Sequence, residues 1–372
     1  MDVFFQFEKK PLLFQNPKFI ISCTRPSSLR DCFQTIEEAL TQGFFVAGFF
    51  SYEAGYGFEE KLQEARDYDF PLISMGVYDA PCKAILKKKS SLPNKVKDLR
   101  LNISPQAYAE NINTIRDFIA KGDVYQITYC IKLLFTFQGE PFSFYKTLLR
   151  DQPVPYPAYM ETEQFSILSL SPEMFIKKRA SYVTTKPMKG TWPRGTDALS
   201  DFIHRMRFQF DVKNRAENVM IADLLRNDLG RVGLHIRAPR LFEVAKYRTL
   251  YQMTSTVTGR VDQDVSLYAL FASLFPSGSV TGAPKIRAME IIRELENEER
   301  HIYTGAIGYI TPAKDLFFNI PIRTILIRGQ LAEMGIGGGI VWDSTAQGEW
   351  SEGLLKAQFV THRCPGFVNL YK

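Results

Sequence analysis

The sequence predicts a large globular protein of the α+β class. The chain has 372 residues, of which 45% are hydrophobic and 13% aromatic, so it can bury a sizeable core. Apolar runs typical of strands occur at 123–137, 165–170, 255–261, 304–310 and 318–327. Helical periodicity occurs elsewhere in the chain, and no internal repeat is visible. The length alone suggests two or three domains, but a large α+β fold can use this length as one unit.

In the N-terminal part of the chain, the pattern of apolar residues predicts one helix among several short apolar runs. Residues 28–43 carry apolar side chains at helical spacing and end at Gly43, whereas 46–60 predicts a strand followed by a glycine-punctuated loop. The stretch KKKSSLPNKVKD (87–98) is the one shift in composition that resembles a linker. We expect residues 1–100 to be integrated into the same fold as a catalytic region spanning residues 101–372.

A second helix is predicted directly after this boundary. Ser104 is suited to cap it, Pro105 suits its first position, and Gly122 ends it. The following segment, 123–137, is rich in strand-forming residues.

Charge and cysteine content narrow the class of function. Lysines and arginines number 46 against 40 acids, a modest excess that suits a small anionic substrate better than nucleic acid. The five cysteines show no paired spacing, which favours a reduced, cytoplasmic location. The N-terminus does not have the pattern of a signal peptide, and no apolar run is long enough to span a membrane.

Lys189 is the most informative single residue. It lies in TTKPMKGTWPRG (184–195), where permissive neighbours allow a small ligand to approach. A lysine becomes a nucleophile when desolvation or a nearby cation lowers its pKa. Taken alone, this is a weak signal, because most lysines are solvated surface groups and the run of Lys186, Lys189 and Arg194 could simply be a charged loop.

Several carboxylates are placed to share helix faces. Glu217 is predicted to open an amphipathic helix, on the stripe that carries Ile221 and Leu224, so it should be largely buried. Glu349, Glu352 and Lys356 project together from another predicted helix. Three carboxylates without a histidine or cysteine ligand suit Mg²⁺. The alternative is ordinary surface ion pairing, such as an i,i+4 pair of Glu352 with Lys356.

Anion-binding groups are also available. Arg323 lies in the β-branched run IPIRTILI, which predicts a strand, and an arginine there suits bidentate capture of a carboxylate. The runs GIGGGI (335–340) and SVTGAPK (279–285) offer closely spaced backbone N–H groups, the second where it feeds a helix with Pro284 in its first turn. Glycine runs alone are more often plain turns.

The chain resembles the chorismate-utilising enzymes, which include anthranilate synthase large subunits, isochorismate and salicylate synthases, and aminodeoxychorismate synthase component I. The resemblance covers roughly residues 105–360. Its blocks, in order, are MKGT (188–191), ENVMIADLLRNDLGRVG (217–233), STVTGRV (255–261), FPSGSVTGAPKIRAMEII (275–292), YTGAIGYI (303–310), NIPIRTILI (319–327), GIGGGIVWDS (335–344) and EWSEGLLKAQ (349–358). The resemblance implies antiparallel sheets packed together, helices outside, and a site between the sheets.

The resemblance also indicates a branch of the family. MKGT is closest to the PIKGT pattern of aminodeoxychorismate synthase component I, whereas anthranilate synthases characteristically carry alanine at the position of Lys189. The implied reaction converts chorismate and ammonia to 4-amino-4-deoxychorismate through a covalent Lys189 adduct, in 4-aminobenzoate and folate biosynthesis. The alternatives are an anthranilate synthase large subunit and a non-catalytic subunit that binds chorismate or an amino acid.

The resemblance further implies roles for individual residues. Glu217 and Glu352 would coordinate Mg²⁺, with Glu349 contributing directly or through water, and Glu173 of the SPE block would be a general acid/base. The expected substrate-binding groups are Arg323, Thr281, Lys285, Gly338, Gly339 and Lys356.

Two positions discriminate further. Gln126 stands where isochorismate synthases place a water-activating lysine, so that chemistry is not expected here. Tyr251 stands where we expect the family's histidine, before the STVTG block, and a phenol could donate a hydrogen bond or proton but cannot become an imidazolium. We therefore treat Tyr251 as a candidate catalytic residue.

No glutaminase signature accompanies these blocks. None of the four histidines lies beside a cysteine-containing motif. A separate glutamine amidotransferase subunit is therefore the expected source of ammonia.

Overall fold

Two antiparallel β-sheets packed against each other form the centre of the structure, a computed structural model that describes residues 1–82, 93–247 and 250–363. The side chains of the two sheets share clusters: the rings of Phe7 and Phe317 are 4.9 Å apart, and those of Phe5 and Tyr309 are 5.5 Å apart. The predicted architecture of packed antiparallel sheets with outer helices is thus confirmed.

The first sheet contains nine strands in the described chain. They are β1 (Asp2–Phe7), β2 (Lys10–Phe14), β6 (Lys95–Leu101), β7 (Gln126–Gln138), β8 (Tyr156–Glu161), β9 (Ser166–Ser171), β15 (Gly282–Ala283), β18 (Thr324–Arg328) and β19 (Leu331–Ile340). Their order is β15-β7-β19-β18-β9-β8-β1-β2, with β6 also paired to β7. The long pairing of β7 with β19 runs from Ile127 opposite Ile340 to Thr136 opposite Leu331.

The second sheet contains ten strands within the same described ranges. They are β3 (Phe19–Cys23), β4 (Phe45–Phe50), β5 (Ile73–Tyr78), β10 (Met174–Arg179), β11 (Tyr182–Lys186), β12 (Met188–Pro193), β13 (Gly233–Lys246), β14 (Leu250–Val261), β16 (Ala306–Ile310) and β17 (Leu316–Asn319). Their order is β12-β14-β11-β10-β17-β16-β4-β5-β3, with β13 also paired to β14. N-terminal strands pair into both sheets, β1 with β8 and β4 with β16.

Helices pack around the sheets. They are α1 (Leu29–Thr41), α2 (Pro105–Ala120), α3 (Pro141–Asp151), α4 (Ala198–Phe210), α5 (Val212–Gly230), α6 (Leu267–Leu274), α7 (Lys285–Leu295) and α8 (Ala346–Thr361). The helix predicted at 28–43 is α1, and the predicted capping of α2 is confirmed, since the Ser104 hydroxyl accepts a bond from the N–H of Ala107 at 3.2 Å. Shorter 3₁₀ segments include Tyr52–Phe58, in the glycine-punctuated loop after β4.

The run predicted as one strand at 318–327 is divided in the structure. β17 ends at Asn319 and β18 begins at Thr324, so Arg323 precedes the strand instead of lying in it. Pro321 lacks a backbone N–H for a sheet ladder, and Arg323 has a left-handed φ of 52°. The two strands consequently belong to different sheets.

Two other boundaries differ from expectation. The segment with linker-like composition is partly strand, since β6 covers residues 95–98, whereas 87–92 lie outside the described residues. α5 begins at Val212, so Glu217 lies in its second turn instead of opening it. Asp211 caps this earlier start by accepting a 2.8 Å bond from the N–H of Asn214.

The two sheets and two helices enclose a space where many of the site residues predicted from sequence come together. β12 is the edge strand of the second sheet, β19 runs through the first, and α5 and α8 lie beside them. Among the described residues, no helix has the length and apolarity that crossing a membrane requires.

Candidate active site

A cavity of about 340 Å³ lies where β12 and β14 of one sheet face β19 of the other. Residues of α5 and α8 complete its wall. Of the twelve site residues predicted from sequence, nine line this cavity and three do not. The lining includes Glu173, Lys189, Glu217, Arg323, Gly338, Gly339, Glu349, Glu352 and Lys356. Thr281, Lys285 and Tyr251 are not part of it.

A β-bulge directs Lys189 into the cavity. Met188 pairs with Thr254 and Thr191 with Gln252, so β12 holds one more residue between these pairs than β14 does. Gly190, within the bulge, has a φ of 86°, where a glycine avoids the strain of a side chain. The Lys189 carbonyl accepts a 2.9 Å bond from Asn218 of α5, which ties the bulge to the helix.

The ammonium group of Lys189 is desolvated. Burial lowers its pKa below the ordinary value, and the positive charge of Lys356 acts in the same direction. The carboxylates of Glu217 and Glu173 partly oppose this shift. A lysine with a lowered pKa holds more of the neutral amine at neutral pH, and the neutral amine is the nucleophilic form.

Glu173 is buried beside Lys189, in the short turn between β9 and β10. Its carboxyl accepts bonds from the Ser279 hydroxyl at 2.7 Å and from the N–H of Met188 at 3.3 Å. Desolvation raises the pKa of Glu173 to about 7, even though Ser279 and the charge of Lys189 both favour ionisation. A carboxyl with this pKa can give or take a proton near neutrality.

The glycines of β19 allow side chains from other elements to approach its backbone. A Cβ at position 338 would lie 2.8 Å from Glu349 Oε2, and one at position 339 would lie 3.0 Å from Lys189 Nζ and collide with the Gln126 amide. Because real Cβ contacts are rarely this close, only glycine fits these two positions without displacing a cavity side chain. The run GIGGGI (335–340) is therefore part of strand β19, whose backbone forms the floor of the cavity, and is not a turn.

Helix α8 brings two carboxylates and a cation to the opposite wall. Lys356 Nζ lies 2.9 Å from Glu352 Oε1 and donates to the Gly337 carbonyl at 2.9 Å. Lys356 is the main cause that lowers the pKa of Glu352. Burial raises the pKa of Glu349, although the Ser344 hydroxyl donates to it at 2.6 Å.

Glu217 faces the same space from α5. Desolvation raises its pKa, opposed first by the charge of Lys189. Glu217, Glu349 and Glu352 line one cavity. In the described part of the chain, however, their carboxylate oxygens do not all lie within 4.8 Å of one another, as the ligand atoms of a preformed metal site would. An open arrangement of hard oxygen donors fits an ion such as Mg²⁺, which keeps several waters and takes substrate oxygens.

Asp69, Glu299 and His301 do converge to that spacing, away from the cavity. This group is already occupied by ion pairs: Asp69 Oδ2 lies 2.9 Å from Arg328, and Glu299 Oε1 lies 2.9 Å from Arg66. His301 Nδ1 also lies 2.6 Å from Glu333. Because each of these three side chains already has an ionic partner, their proximity does not require a bound metal ion.

Arg323 is a buried cation at the end of the cavity. Its left-handed backbone turns it off the strand end, it is 8% exposed, and desolvation lowers its pKa. Within the described residues, no carboxylate lies within 4.0 Å of its guanidinium. A buried, unpaired guanidinium is suited to a carboxylate of a bound ligand.

Further polar groups in this region were not singled out from sequence as binding groups. The structure leaves several buried polar atoms without a hydrogen-bond partner: the side-chain amide of Gln126, Thr128 Oγ1, Trp192 Nε1 and Gln252 Oε1. Thr128, Trp192 and Gln252 line the cavity, and the Gln126 amide lies against Gly339. Buried polar atoms rarely stay unpaired, so these are candidate contacts for a polar ligand. Only the alternation of β14 could have indicated one of them, Gln252.

Tyr251 is placed differently from the expectation. Successive side chains of a strand point to opposite faces, and in β14 it is Gln252 that faces the cavity. Tyr251 is buried on the other face, where its ring packs with Phe208 and lies 5.2 Å from the Arg194 guanidinium. The structure therefore does not bring the phenol to the cavity.

Thr281 and Lys285 are also held elsewhere. The Thr281 hydroxyl donates to the Ser277 carbonyl at 3.0 Å, inside its own loop. Lys285 Nζ lies 2.7 Å from Asp228 and donates to the Ser273 carbonyl at 3.2 Å, with both ionic side chains largely buried. This pairing joins α7 to α5. Of the two lysines expected to bind substrate, Lys356 lines the cavity and Lys285 does not.

Comparison with known proteins places this geometry in a family. Residues 13–362 match the family described as chorismate binding enzyme. A relative from Klebsiella aerogenes, named aminodeoxychorismate synthase component 1, is 33% identical over 85% of this chain and 76% of its own length. An anthranilate synthase component 1 from Aquifex aeolicus is 34% identical over 70% of this chain and 53% of its own length.

Solved structures agree. Anthranilate synthase component I from Streptococcus pneumoniae superposes with a TM-score of 0.81 at 26% identity, covering 93% of this chain and 91% of that one. The isochorismate synthase MenF from Escherichia coli shares the fold, with a TM-score of 0.77 at 16% identity over 100% of this chain and 88% of that one. With a family match spanning almost the whole length and relatives above 30% identity, the chain belongs to the chorismate binding enzyme family.

Proposed function

We propose that this chain makes 4-amino-4-deoxychorismate from chorismate and ammonia, acting as the synthase component of a two-part enzyme. The observation that carries the proposal is the position of Lys189: a desolvated amine, directed by a bulge into a cavity that also holds Glu173. A lysine in this position can act as a nucleophile towards the substrate. An enzyme in which ammonia attacks the substrate directly would not need one.

The two carboxylates of chorismate have separate partners in this proposal. Arg323 would hold one of them, because its guanidinium is buried without an acidic partner in the described chain. The other would lie towards α8, near Lys356 and the N–H groups of Gly338 and Gly339. This arrangement would present the ring between Lys189 and the floor of β19.

The proposed chemistry proceeds in two stages. The neutral amine of Lys189 forms a bond to C2, the ring double bonds shift, and the C4–O bond breaks as Glu173 gives its proton to the departing hydroxyl, which leaves as water. Ammonia then bonds to C4, the double bonds shift back, and the C2–N bond to Lys189 breaks. In the first stage Glu173 regains a proton from the Lys189 nitrogen after that nitrogen has bonded to C2. In the second stage Glu173 returns a proton to this nitrogen as the C2–N bond breaks and takes one from the nitrogen added at C4. Its pKa, raised to about 7, suits these transfers.

Glu217, Glu349 and Glu352 would hold a Mg²⁺ ion. Burial raises the pKa values of Glu217 and Glu349, and a bound cation would stabilise their ionised forms. When bound, Mg²⁺ would neutralise substrate carboxylate charge and assist the departure of the hydroxyl.

The source of ammonia and the location of the chain complete the proposal. The relatives named component 1 indicate an enzyme of more than one part, which supports a glutamine amidotransferase as the partner. Cys23, Cys32, Cys82 and Cys130 are free thiols, which suit a reducing compartment such as the cytoplasm.

Product identity tests the proposed function directly. Purified chain incubated with chorismate, Mg²⁺ and ammonium should form 4-amino-4-deoxychorismate, identified by mass spectrometry and by its conversion to 4-aminobenzoate with an added lyase. With glutamine in place of ammonium, turnover should require an added amidotransferase. Direct formation of anthranilate would establish the rival activity that several relatives carry in their names. Binding of chorismate without any turnover would favour the non-catalytic alternative.

Lys189→Ala should abolish 4-amino-4-deoxychorismate formation, because the amine that bonds to C2 is removed. Any residual product should shift towards anthranilate, since ammonia could then attack C2 itself. Lys189→Arg should not restore activity, because a guanidinium stays protonated. Lys186→Ala is the matched control: that lysine ends the preceding strand, β11, outside the cavity lining, and pairs with Glu243 at 3.4 Å. Full activity of Lys189→Ala would contradict the assignment.

The ionisation of Glu173 can be measured through stability. A carboxyl whose pKa is raised from 4.5 to about 7 on folding holds its proton in the folded state while the unfolded chain has lost it. The free energy of unfolding should therefore fall as pH rises from about 4.5 to 7, relative to Glu173→Gln, and the difference should level off above that range. Urea midpoints of both proteins at several pH values provide the measurement. A difference independent of pH would contradict the raised pKa.

Glu217→Gln and Glu352→Gln should each lower Mg²⁺-dependent turnover by roughly a hundred-fold or more, since each removes a ligand charge but keeps the side-chain shape. Thermal unfolding should change little. Chelation should inactivate the wild-type chain, and added Mg²⁺ should restore it. The exposed Glu163 supplies the control, because Glu163→Gln lies outside the cavity. Chelator-resistant turnover would remove the metal from the proposal.

A further inference from the structure

Helix α4 exposes an apolar stripe that the fold does not cover. Leu199, Phe202, Ile203, Met206 and Phe210 recur at helical spacing on one face, and their exposed fractions lie between 39% and 69%. The outer face of a helix on a globular protein is normally polar. Contiguous exposed apolar side chains of this size indicate a surface that binds another molecule.

The opposite face of α4 is already fixed to the protein. Asp201 makes two bonds to Arg194, at 2.5 and 2.7 Å, and lies 3.1 Å from Lys246. Phe208 is fully buried against Trp192, with ring centroids 5.8 Å apart. Because both contacts hold the helix in one rotation, the apolar stripe cannot turn inward.

This stripe borders the cavity. Trp192, against which Phe208 packs, lines the cavity wall, and so do Lys213 and Asn214 at the start of α5. Val212 lies between Phe210 and Lys213 and is 82% exposed. We define the α4 patch as Leu199, Phe202, Ile203, Met206, Phe210 and Val212.

Exposed basic side chains outnumber acidic ones around the α4 patch, and the two flanking acids, Asp197 and Asp211, are engaged as the N-caps of α4 and α5. Arg205 and Arg207 are exposed on α4 itself, and Lys213 is exposed at its C-terminal side. Asp201, the acid within α4, is buried in its ion pairs. A complementary surface would therefore be apolar at its centre and acidic at its rim.

We propose that the α4 patch is the docking surface for the glutamine-hydrolysing partner that supplies ammonia; this inference rests on the proposed function. Amines of ordinary basicity are almost entirely protonated in water at neutral pH, and a protonated nitrogen is not nucleophilic. A partner seated on the α4 patch would release ammonia beside the cavity wall at Trp192 and Lys213, instead of into bulk water. A second copy of this chain docked through the same patch would place one basic rim against another.

The test uses charged substitutions within the patch. Phe202→Glu and Phe210→Glu should weaken binding of the amidotransferase subunit from the same genome by roughly ten-fold or more, measured by calorimetry. Glutamine-dependent turnover at a limiting partner concentration should fall in proportion. Ammonium-dependent turnover should stay within about two-fold, which also shows that the variants fold. Leu331→Glu is the matched control, since Leu331 is 74% exposed and lies at the start of β19.

The basic rim is tested separately. Arg205→Glu combined with Arg207→Glu should slow association and reduce its dependence on salt, with little effect on ammonium-dependent turnover.

Three results would overturn the inference. One is unchanged partner affinity in both phenylalanine variants. Another is an equal loss in the Leu331→Glu control. The third is a change in the oligomeric state of the chain alone, measured by light scattering, with partner binding intact, since the patch would then join two copies of this chain. If no variant, nor the wild type, forms 4-amino-4-deoxychorismate with ammonium, the proposed function fails, and calorimetry still decides the docking surface.

Discussion

The cavity depends on one constraint: side chains from other strands and helices must approach the backbone of β19 closely. Lys189 from an edge strand of one sheet and Glu349 from α8 both reach the glycines of a strand in the other sheet. A single Cβ at position 338 or 339 would push these groups apart. The glycine run therefore matters less for flexibility than for the space it leaves, and that space lets three separate elements meet at one point.

The charges in the cavity are balanced only in part. Lys356 neutralises Glu352, whereas Glu173, Glu217 and Glu349 have raised pKa values and Lys189 has a lowered one, because burial disfavours the ionised form of each. Arg323 is buried without an acidic partner among the described residues. Groups of both signs are thus held in an unfavourable state that a dianionic ligand with a divalent cation would relieve. Perturbed groups of this kind are typical of functional sites.

Helix α4 connects this site to the surface. Its inner face packs on the strand that carries Lys189, through Phe208 and Trp192, and its outer face carries the α4 patch. A partner bound there would contact the same helix that supports the cavity wall. Helix α4 would then both bind the partner and support the cavity wall. This arrangement would leave ammonia only a short distance to travel from the partner to the cavity.

The sequence by itself determined the residues that most strongly mark the family, and through that resemblance it also determined the fold of antiparallel sheets with outer helices, which periodicity alone does not predict. Local signals were sufficient for α1 and for the capped start of α2, since capping and helical spacing depend on neighbours in the chain. The motifs around Lys189, Glu217 and Glu352 predicted residues that the structure brings to a single cavity.

Only the tertiary structure decided how the individual site residues are oriented and which partners they have, because both depend on segments that are distant in the chain. The register of β14 turns Gln252 towards the cavity and Tyr251 away from it, and a one-residue difference is enough to exchange them. Lys285 is held by Asp228, a partner from α5 that its own helix gives no sign of. The bulge that directs Lys189, the unpaired burial of Arg323 and the exposed stripe of α4 all arise from contacts between distant segments, and no local pattern encodes them.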